Sequence, residues 1–304
     1  MPLDGGATSN SAFDPFDFDR ATQVAPRAAP TSGSPADAVR SGTVSQGTVS
    51  FDTVIQDGWD IMGNANGGYV LAVVGNALSA VTGRPDCITV TCHYLAPCPA
   101  GPAVIDVVPI RSGRRFATAT ATMWRDVDGV RKVIVQVMAT MGDLANDPGG
   151  PTAMANGAPV IPVYDDCIAM GDPSAGNVPQ LHHRLATRIH PDDVGFRDGH
   201  PNGEGRIRGW FAFRDGRPID STALLLVSDA CPPAVFNLDL PTNWVPTVEL
   251  TVHVRAIPAP GPVQCSFATR YLQNGLLEED GEMWDSRGVL VAQSRQLALA
   301  PRAS

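Results

Sequence analysis

The sequence contains two related segments 160 positions apart, and this internal duplication constrains the fold more than any other feature. The segment TVTCHYLAPCPAGP at 89–102 aligns without a gap with ELTVHVRAIPAPGP at 249–262. Each segment alternates apolar and polar residues and then reaches a Pro-Gly turn, which is typical of a strand that leads into a hairpin. The two share a threonine, a histidine, an alanine and a closing Gly-Pro. The chain is therefore expected to fold as two copies of one unit.

The flanks of the two segments repeat in the same order. Upstream of each lie a Gly-Trp pair and a helix candidate, at 58–59 and 66–81 in the first copy and at 209–210 and 219–229 in the second. Downstream of each come two strand patterns joined by a turn that follows a tryptophan. Each unit is predicted to contain a strand region, a helix of about four turns, and three or more antiparallel strands. We expect the strands to curl around the helix and bury its apolar face.

Two stretches interrupt this pattern and set the predicted boundaries. Residues 1–45 are rich in Ala, Ser, Gly, Pro and Thr and are predicted to be disordered. Within them, FDPFDFD at 13–19 is expected to be a solvated acidic tail, with docking on a surface as the alternative. The Pro- and Gly-rich residues 143–178 are predicted to be a surface linker. The predicted units are thus an N-terminal one at 46–142 and a C-terminal one at 179–304.

The bulk composition excludes several classes of protein. The 304 residues are 43% hydrophobic and 17% charged, which suits a globular protein with a substantial core. A net charge of −9 argues against nucleic-acid binding, which needs a basic face. We expect no membrane insertion, because no apolar run approaches the length that crosses a bilayer. The six cysteines form no C-x-x-C pair, and a cytoplasmic location is expected.

Several motifs, taken together and in order, resemble those of TesB-like (type II) acyl-CoA thioesterases. The first-copy motifs are Asn66-Gly67-Gly68-Tyr69, Thr91-x-His93-Tyr94-Leu95-x-Pro97 and Arg111-Ser-Gly-Arg114-Arg115. The second-copy motifs include Leu224–Asp229, Trp244-Val-Pro-Thr247 and Val291-Ala292-x-Ser294-x-Gln296. The resemblance covers about residues 46–301. It implies an α+β double hotdog, two tandem repeats in which a curled antiparallel sheet wraps a helix. It also implies hydrolysis of fatty acyl-CoA to free fatty acid and CoA without a cofactor.

The resemblance further implies that Asp229, Thr247 and Gln296, all in the second copy, are the catalytic residues. Asp229 ends a predicted helix and shares a helical face with Leu226. Burial there raises the pKa of a carboxyl group and makes it a better base near neutral pH. We therefore expect Asp229 to activate or orient a water that attacks the thioester directly, without an acyl-enzyme. The alternative is a helix-terminal aspartate that only bonds to the following loop.

The other two residues lie on predicted strands. Strict alternation places Thr247 on the same face as Glu249 and Thr251, opposite Leu250. Gln296 falls on a face of small and apolar residues, where its amide needs partners at both ends. A water shared with Asp229 would satisfy it, although a structural hydrogen bond is equally compatible with the sequence.

Two features are candidates for binding the CoA phosphates. Arg111, Arg114 and Arg115 cluster at a predicted hairpin turn, where a solvated turn is the alternative. The segment Asn66-Gly67-Gly68 stands at a helix start, whose N–H groups favour anions. Tight packing of the helix against the sheet would explain the same glycines.

Two other functions remain as alternatives, a non-catalytic acyl-CoA-binding or scaffold protein on the same fold and a hotdog enoyl-CoA hydratase. The hydratase pattern, an aspartate five residues before a histidine, is absent. His182, His183 and His190 lack a Cys or carboxylate partner at ligand spacing, so no metal site is predicted. A homo-oligomer, a dimer or larger, is expected by analogy with other hotdog proteins.

The two copies are not expected to be functionally equal. The 160-residue shift places Thr247 on Cys87, which lacks the hydroxyl group. It places Gln296 on Gln136, or on Val137 if the turns are aligned with a gap, so the register decides this comparison. The sequence predicts one active site per chain, in the second copy, with the first copy shaping the pocket.

Overall fold

The fold is that of a computed structural model, which describes residues 16–28, 47–147, 149–171 and 179–301. The helices of these parts are α1 Asp17–Ala21, α2 Gly67–Thr82 and α3 Ala223–Val227. The strands of the first half are β1 Ala25–Pro26, β2 Val49–Ile55, β3 Asp60–Ile61, β4 Asn64–Ala65, β5 Asp86–Tyr94, β6 Gly101–Ser112, β7 Ala117–Val127 and β8 Val130–Gly142. Those of the second half are β9 Ile168–Ala169, β10 Arg188–Ile189, β11 Arg206–Phe211, β12 Thr247–Val254, β13 Val263–Ala268, β14 Leu272–Gln273, β15 Leu276–Trp284 and β16 Leu290–Leu299. Short 3₁₀ turns span Tyr164–Asp166, Gln180–His183, Pro191–Asp193, Gly195–Asp198 and Ala234–Asn237.

One antiparallel sheet runs through both units. Its strand order is β1-β2-β6-β7-β8-β5-β12-β16-β15-β13-β11-β10-β9, with β14 paired to β15. The two units join where β5 pairs with β12, and the duplicated residues Thr91 and Thr251 face each other there. Their hydroxyl oxygens lie 2.8 Å apart. The strands β3 and β4 form a separate small hairpin. The two copies are therefore related by an approximate two-fold axis that passes between these threonines.

The irregularities of the sheet are duplicated as well. The β5–β8 ladder has a bulge between Cys87 and Thr89, and the β12–β16 ladder has one between Thr247 and Glu249, 160 positions later. The same spacing recurs at two tryptophans. The β7–β8 ladder has a bulge just before Trp124, and the β15–β16 ladder has one just before Trp284. The prediction that the two Gly-Trp pairs are equivalent is wrong, because Gly58-Trp59 follows β2 whereas Gly209-Trp210 lies inside β11.

The helix α2 forms the core of the first unit. Asn66 caps its first turn by accepting from the backbone N–H of Tyr69 over 2.9 Å, and Gly83 ends it in the left-handed conformation with φ of 64°. Ten of its sixteen residues are buried, which explains why GYVLAVVGNALSAV carries almost no polar side chains. The predicted span 66–81 agrees with the observed helix to within one residue at each end.

The second predicted helix is much shorter than expected. The sequence pattern at 219–229 predicts about three turns, but α3 has only five residues, all of them buried. The residues on either side of α3 form turns, in which the backbone N–H groups of Leu225, Asp229 and Ala230 bond to the carbonyl oxygen three residues back rather than four. The two helices touch at Gly68, where an added Cβ would lie 2.6 Å from the carbonyl oxygen of Leu225. This close approach requires the glycine.

The N-terminal prediction of disorder is wrong for residues 16–28. Phe18 in α1 is 1% exposed, and its ring contacts Trp59 of the first unit and Phe213 of the second at centroid distances of 5.6 and 5.2 Å. The neighbouring Asp19 accepts from Arg217 over 2.7 Å. These partners are distant in sequence, so local composition could not reveal them. Residues 1–15 and 29–46, the rest of the predicted tail, lie outside the described residues.

The predicted linker contributes to the sheet. Ile168 in β9 pairs with Ile189 in β10, so the second unit begins before residue 179. Most other described residues between 149 and 163 lack regular structure and are exposed, as expected for a linker. Within the described ranges α2 is the longest helix, and its sixteen residues are too few to span a bilayer.

Candidate active site

Asp229 lies at the contact between the two units. It follows α3 by two residues and meets the first turn of α2. Asn66 Nδ2 donates to its carboxylate Oδ2 over 2.9 Å and to its backbone carbonyl over 2.7 Å. The backbone N–H of Gly68 donates to the same Oδ2 over 3.0 Å. A carboxylate from the second unit is thus bound at the N-terminus of the helix of the first.

Burial makes this carboxyl group a base suited to neutral pH. It raises the pKa of Asp229 from 3.8 to about 6, and the hydrogen bonds from Gly68, Gly67 and Asn66 oppose the rise. Without these donors, burial would raise the pKa further, and the group would stay protonated up to a higher pH. Above pH 6 the group is mainly ionised and can accept a proton, as a general base requires.

A β-bulge brings Thr247 to the side of the sheet that carries Gln296. Leu250 is fully buried and pairs with Gln296, so these two share the inner face. The bulge after Thr247 makes it pair with Ala298, which is also fully buried. Thr247 Oγ1 then lies 2.9 Å from Gln296 Oε1. The alternation rule, which placed Thr247 on the face of Glu249, is wrong at this position because it assumes a regular strand.

Gln296 continues the network to a second buried carboxyl group. Its Nε2 donates to Glu279 Oε1 over 3.0 Å, and both residues are 6% exposed. Glu279 Oε2 accepts from the backbone N–H of Ala234 over 2.5 Å. Burial and the nearby charge of Asp229 raise the pKa of Glu279 to about 7. The charge of Asp229 is therefore close enough to the Thr247 network to act on Glu279.

Tyr94 of the first unit adds an uncommitted hydroxyl group. Its oxygen is buried and has no nitrogen or oxygen partner among the described residues, and its polar neighbour is the weakly hydrogen-bonding thiol of Cys92. A Cβ placed on Gly67 would lie 2.9 Å from this oxygen and 3.0 Å from Asp229 Oδ2, so both groups border the same point. Burial and the charges of Cys92 and Asp229 raise the pKa of Tyr94 well above 10. The hydroxyl therefore stays protonated and able to donate.

Sequence reasoning missed the parts played by Tyr94 and Glu279 at this site. Tyr94 stands inside one of the motifs that carry the family resemblance, but no orphan hydroxyl can be read from a sequence. Glu279 did give a signal, since the alternating segment from Leu277 to Met283 puts a carboxylate on its apolar face. Such a residue requires a buried partner.

The Asn66-Gly67-Gly68 segment does bind an anion, but the anion is the carboxylate of Asp229. The N–H of Gly68 and the amide of Asn66 are both directed to it. Gly68 also packs tightly against α3. The segment therefore belongs with the candidate catalytic residues. That it also binds CoA phosphates stays a prediction.

The arginine cluster lies away from Asp229. Arg84, just after α2, donates to the carbonyl oxygens of Gly113 and Arg114 over 3.2 and 2.7 Å, which fixes the arginine turn at the C-terminal end of α2. Sixteen helical residues separate the two ends by about 24 Å. Arg115 is also paired with Asp147 over 2.8 Å. The structure therefore does not bring Arg111, Arg114 and Arg115 together with the predicted catalytic residues.

The three histidines show no sign of metal binding. Across the described ranges, no group of three or more His, Cys, Asp or Glu side chains could hold a metal ion. His182 is buried, which lowers its pKa to about 4. His190 accepts from the backbone N–H of Asp192 over 3.1 Å.

The first unit lacks the polar residues of this network. The matching bulges make Cys87 equivalent to Thr247. Val90 pairs with Ala139 as Leu250 pairs with Gln296, so Ala139 replaces the glutamine. The sequence comparison offered Gln136 or Val137 as the counterpart of Gln296. Both are wrong, because the residues of β8 and β16 correspond at an offset of 157 positions. Ala119 stands where Glu279 stands in the second unit.

Comparisons with known proteins match both units to one family. Residues 55–142 match the acyl-CoA thioesterase N-terminal domain, and residues 164–300 match the acyl-CoA thioesterase C-terminal domain. An uncharacterized protein of Mycobacterium tuberculosis is 28% identical over 276 residues, which cover 83% of this chain and 91% of its own length.

Solved structures share the architecture. A candidate thioesterase II from Thermobifida fusca, 28% identical, superposes with a TM-score of 0.77 over 94% of this chain and 98% of its own. The acyl-CoA thioesterase II TesB2 of Mycobacterium marinum is 18% identical and shares the fold, with a TM-score of 0.63 over 94% of this chain and 99% of its own. The chain therefore belongs to the acyl-CoA thioesterase family and has the double hotdog fold of its thioesterase II type.

Proposed function

We propose that this protein hydrolyses fatty acyl-CoA to free fatty acid and CoA by direct attack of water, with one active site per chain. The observation that carries the proposal is the contact of Thr247 Oγ1 with Gln296 Oε1 over 2.9 Å, which a bulge creates and the buried acid Glu279 extends through its bond with Gln296. Family membership makes an acyl-CoA thioester the expected substrate. A homo-oligomer and a cytoplasmic location remain predictions.

In the proposed reaction, a water sits between Asp229 and Thr247. Asp229 accepts one water proton while the water oxygen attacks the thioester carbonyl carbon, and the carbonyl electron pair moves to its oxygen. The tetrahedral intermediate then expels the CoA sulfur, which leaves as a thiolate and takes up the proton from Asp229. The products are the carboxylic acid and the CoA thiol, so no acyl-enzyme forms.

The surrounding groups fit the charge changes of this reaction. A base with a pKa of about 6 is ionised at neutral pH yet basic enough to accept a proton in the transition state. The free hydroxyl of Tyr94 is available to donate to the developing oxyanion, and such preorganised donors contribute strongly to acyl-transfer catalysis. Asn66 holds the base in place.

A thiol-release assay with CoA esters from acetyl to palmitoyl tests the proposal. We expect turnover of at least one ester, with free thiol and carboxylic acid formed in equal amounts. Binding of acyl-CoA without release of thiol from any ester would favour the non-catalytic binding protein instead. The same panel gives the preferred chain length.

A further inference from the structure

The buried chain Thr247–Gln296–Glu279 has a fixed hydrogen-bond direction. The N–H of Ala234 donates to Glu279 Oε2 over 2.5 Å, and Gln296 Nε2 donates to Glu279 Oε1 over 3.0 Å. Above the pKa of Glu279, which burial raises to about 7, the ionised carboxylate can only accept, so it holds the NH₂ end of Gln296 toward itself. The carbonyl end must then face Thr247, whose hydroxyl donates to it over 2.9 Å.

This direction decides what Thr247 offers to a water. Its single hydroxyl proton is used on Gln296, so only its lone pairs remain for a further partner. A water placed between Thr247 and Asp229 can donate one proton to each. Both lone pairs of the water are then unoccupied, and one of them can attack a carbonyl carbon. With the chain reversed, Thr247 would donate to one of these lone pairs and make the water a weaker nucleophile.

We propose that Glu279 is a positioning residue that sets the orientation of the Gln296 amide, and thereby makes Thr247 an acceptor for the nucleophilic water. The inference rests on the proposed function for its catalytic consequence, whereas the amide orientation stands on the hydrogen bonds alone. The first unit supports the assignment. It lacks the acid, the amide and the hydroxyl together, with Ala119, Ala139 and Cys87 at the equivalent positions.

Glu279→Gln tests the proposal with little change in shape. The oxygen of the new amide accepts from Ala234, so its NH₂ group faces Gln296 and turns the Gln296 amide around. We expect kcat to fall by about 10- to 100-fold with KM changed less than about threefold, as for a lost transition-state interaction. Glu282→Gln is the matched control, because Glu282 is exposed on the opposite face of β15.

A double variant separates orientation from simple structural damage. In Glu279→Gln with Gln296→Glu, the new glutamine donates to the new glutamate, which again accepts from Thr247. We expect this variant to recover most of the kcat that Glu279→Gln loses. If Glu279 has only a structural role, Gln296→Glu should lower kcat further when it is added to Glu279→Gln.

Proton NMR of the Gln296 side-chain amide gives a readout that does not depend on activity. In the wild type, above the pKa of Glu279, the amide protons should show nuclear Overhauser effects to the Glu279 methylenes. In Glu279→Gln the amide protons of Gln296 should instead show nuclear Overhauser effects to the Thr247 methyl group. Unchanged effects, or a Glu279→Gln kcat within twofold of wild type, would overturn the inference. A wild type that releases no thiol would refute the proposed function, while the amide protons would still decide the orientation.

Discussion

The side-chain amide of Asn66, at the start of the helix of the first unit, donates a hydrogen bond to the carboxylate of Asp229 in the second unit over 2.9 Å. The same amide group also binds the backbone carbonyl of Asp229 over 2.7 Å, while its oxygen caps α2. One side chain therefore joins the fold of the first unit to the candidate base of the second. The first copy thus contributes to the site although it lacks counterparts of Thr247, Gln296 and Glu279.

Asn66→Ala should affect both stability and pH dependence. Loss of the helix cap costs about 1 kcal/mol of unfolding free energy. Loss of the donor to Asp229 should move the acid limb of the pH–rate profile upward, because that hydrogen bond lowers the pKa of the carboxyl group. Urea unfolding and pH-dependent thiol release measure the two effects. Asn146→Ala, in an exposed turn, is the control, and an unmoved acid limb in Asn66→Ala would contradict the assignment.

Tyr94→Phe should lower kcat with little effect on stability. Among the described residues the hydroxyl has no nitrogen or oxygen partner to lose, so the unfolding free energy should change by less than about 1 kcal/mol. Removal of one oxyanion donor lowers kcat by about 10²- to 10³-fold in other acyl-transfer enzymes. Steady-state kinetics of Tyr94→Phe would measure the change in kcat. Tyr271→Phe is the control, because Tyr271 is 72% exposed. Equal kcat values for the two variants would exclude Tyr94 as the donor.

The two raised acid pKa values predict how stability depends on pH. Asp229 titrates at about 6 and Glu279 at about 7 in the folded protein, against 3.8 and 4.5 ordinarily. The folded state therefore binds more protons between pH 4 and pH 7, and unfolding free energy falls as pH rises through this window. Each acid contributes at most about 3 kcal/mol.

Urea unfolding at pH 5 and pH 8 measures this slope. Asp229→Asn should be less sensitive to pH than the wild type, because one of the two groups can no longer lose a proton. Asp280→Asn, whose native carboxyl has a lowered pKa, should not flatten the fall. A wild-type stability that rises from pH 5 to pH 8 would argue against two buried acids at this site.

Phe18→Ala tests whether the N-terminal segment is part of the folded body. Phe18 is 1% exposed between Trp59 and Phe213, so its truncation should cost about 3–5 kcal/mol of unfolding free energy. Phe16→Ala, at a position 40% exposed, is the control and should change it by less than about 1 kcal/mol. Chemical denaturation measures both. Similar values for the two variants would show that the segment does not dock.

The sequence predicted the features that depend on local patterns and on the duplication. The two units and the span of α2 follow from alternation and from the repeat, whereas the pairing of Thr91 with Thr251 is a finding of the structure. Local patterns failed where distant contacts decide the structure. Phe18, for example, packs against aromatic residues from both units.

The candidate site shows the same division. Asp229, Thr247 and Gln296 came from motifs, but strict alternation placed Thr247 on the wrong face, since a bulge cannot be read from one strand. The equivalence of Gln296 with Ala139 required the ladder registers of both units. The partners of Asp229 in the first unit became visible only when the two helices were placed against each other.

The central claim is that Asp229 is the base of a thioester hydrolase, and the most direct test is CoA thiol release by the wild type and Asp229→Asn. Asparagine keeps the shape of the side chain but cannot accept a proton as a base, and circular dichroism checks that the variant folds. We predict that kcat falls by at least about 100-fold, in line with the contribution of a general base. A folded Asp229→Asn that releases thiol within a few-fold of the wild type would contradict the claim.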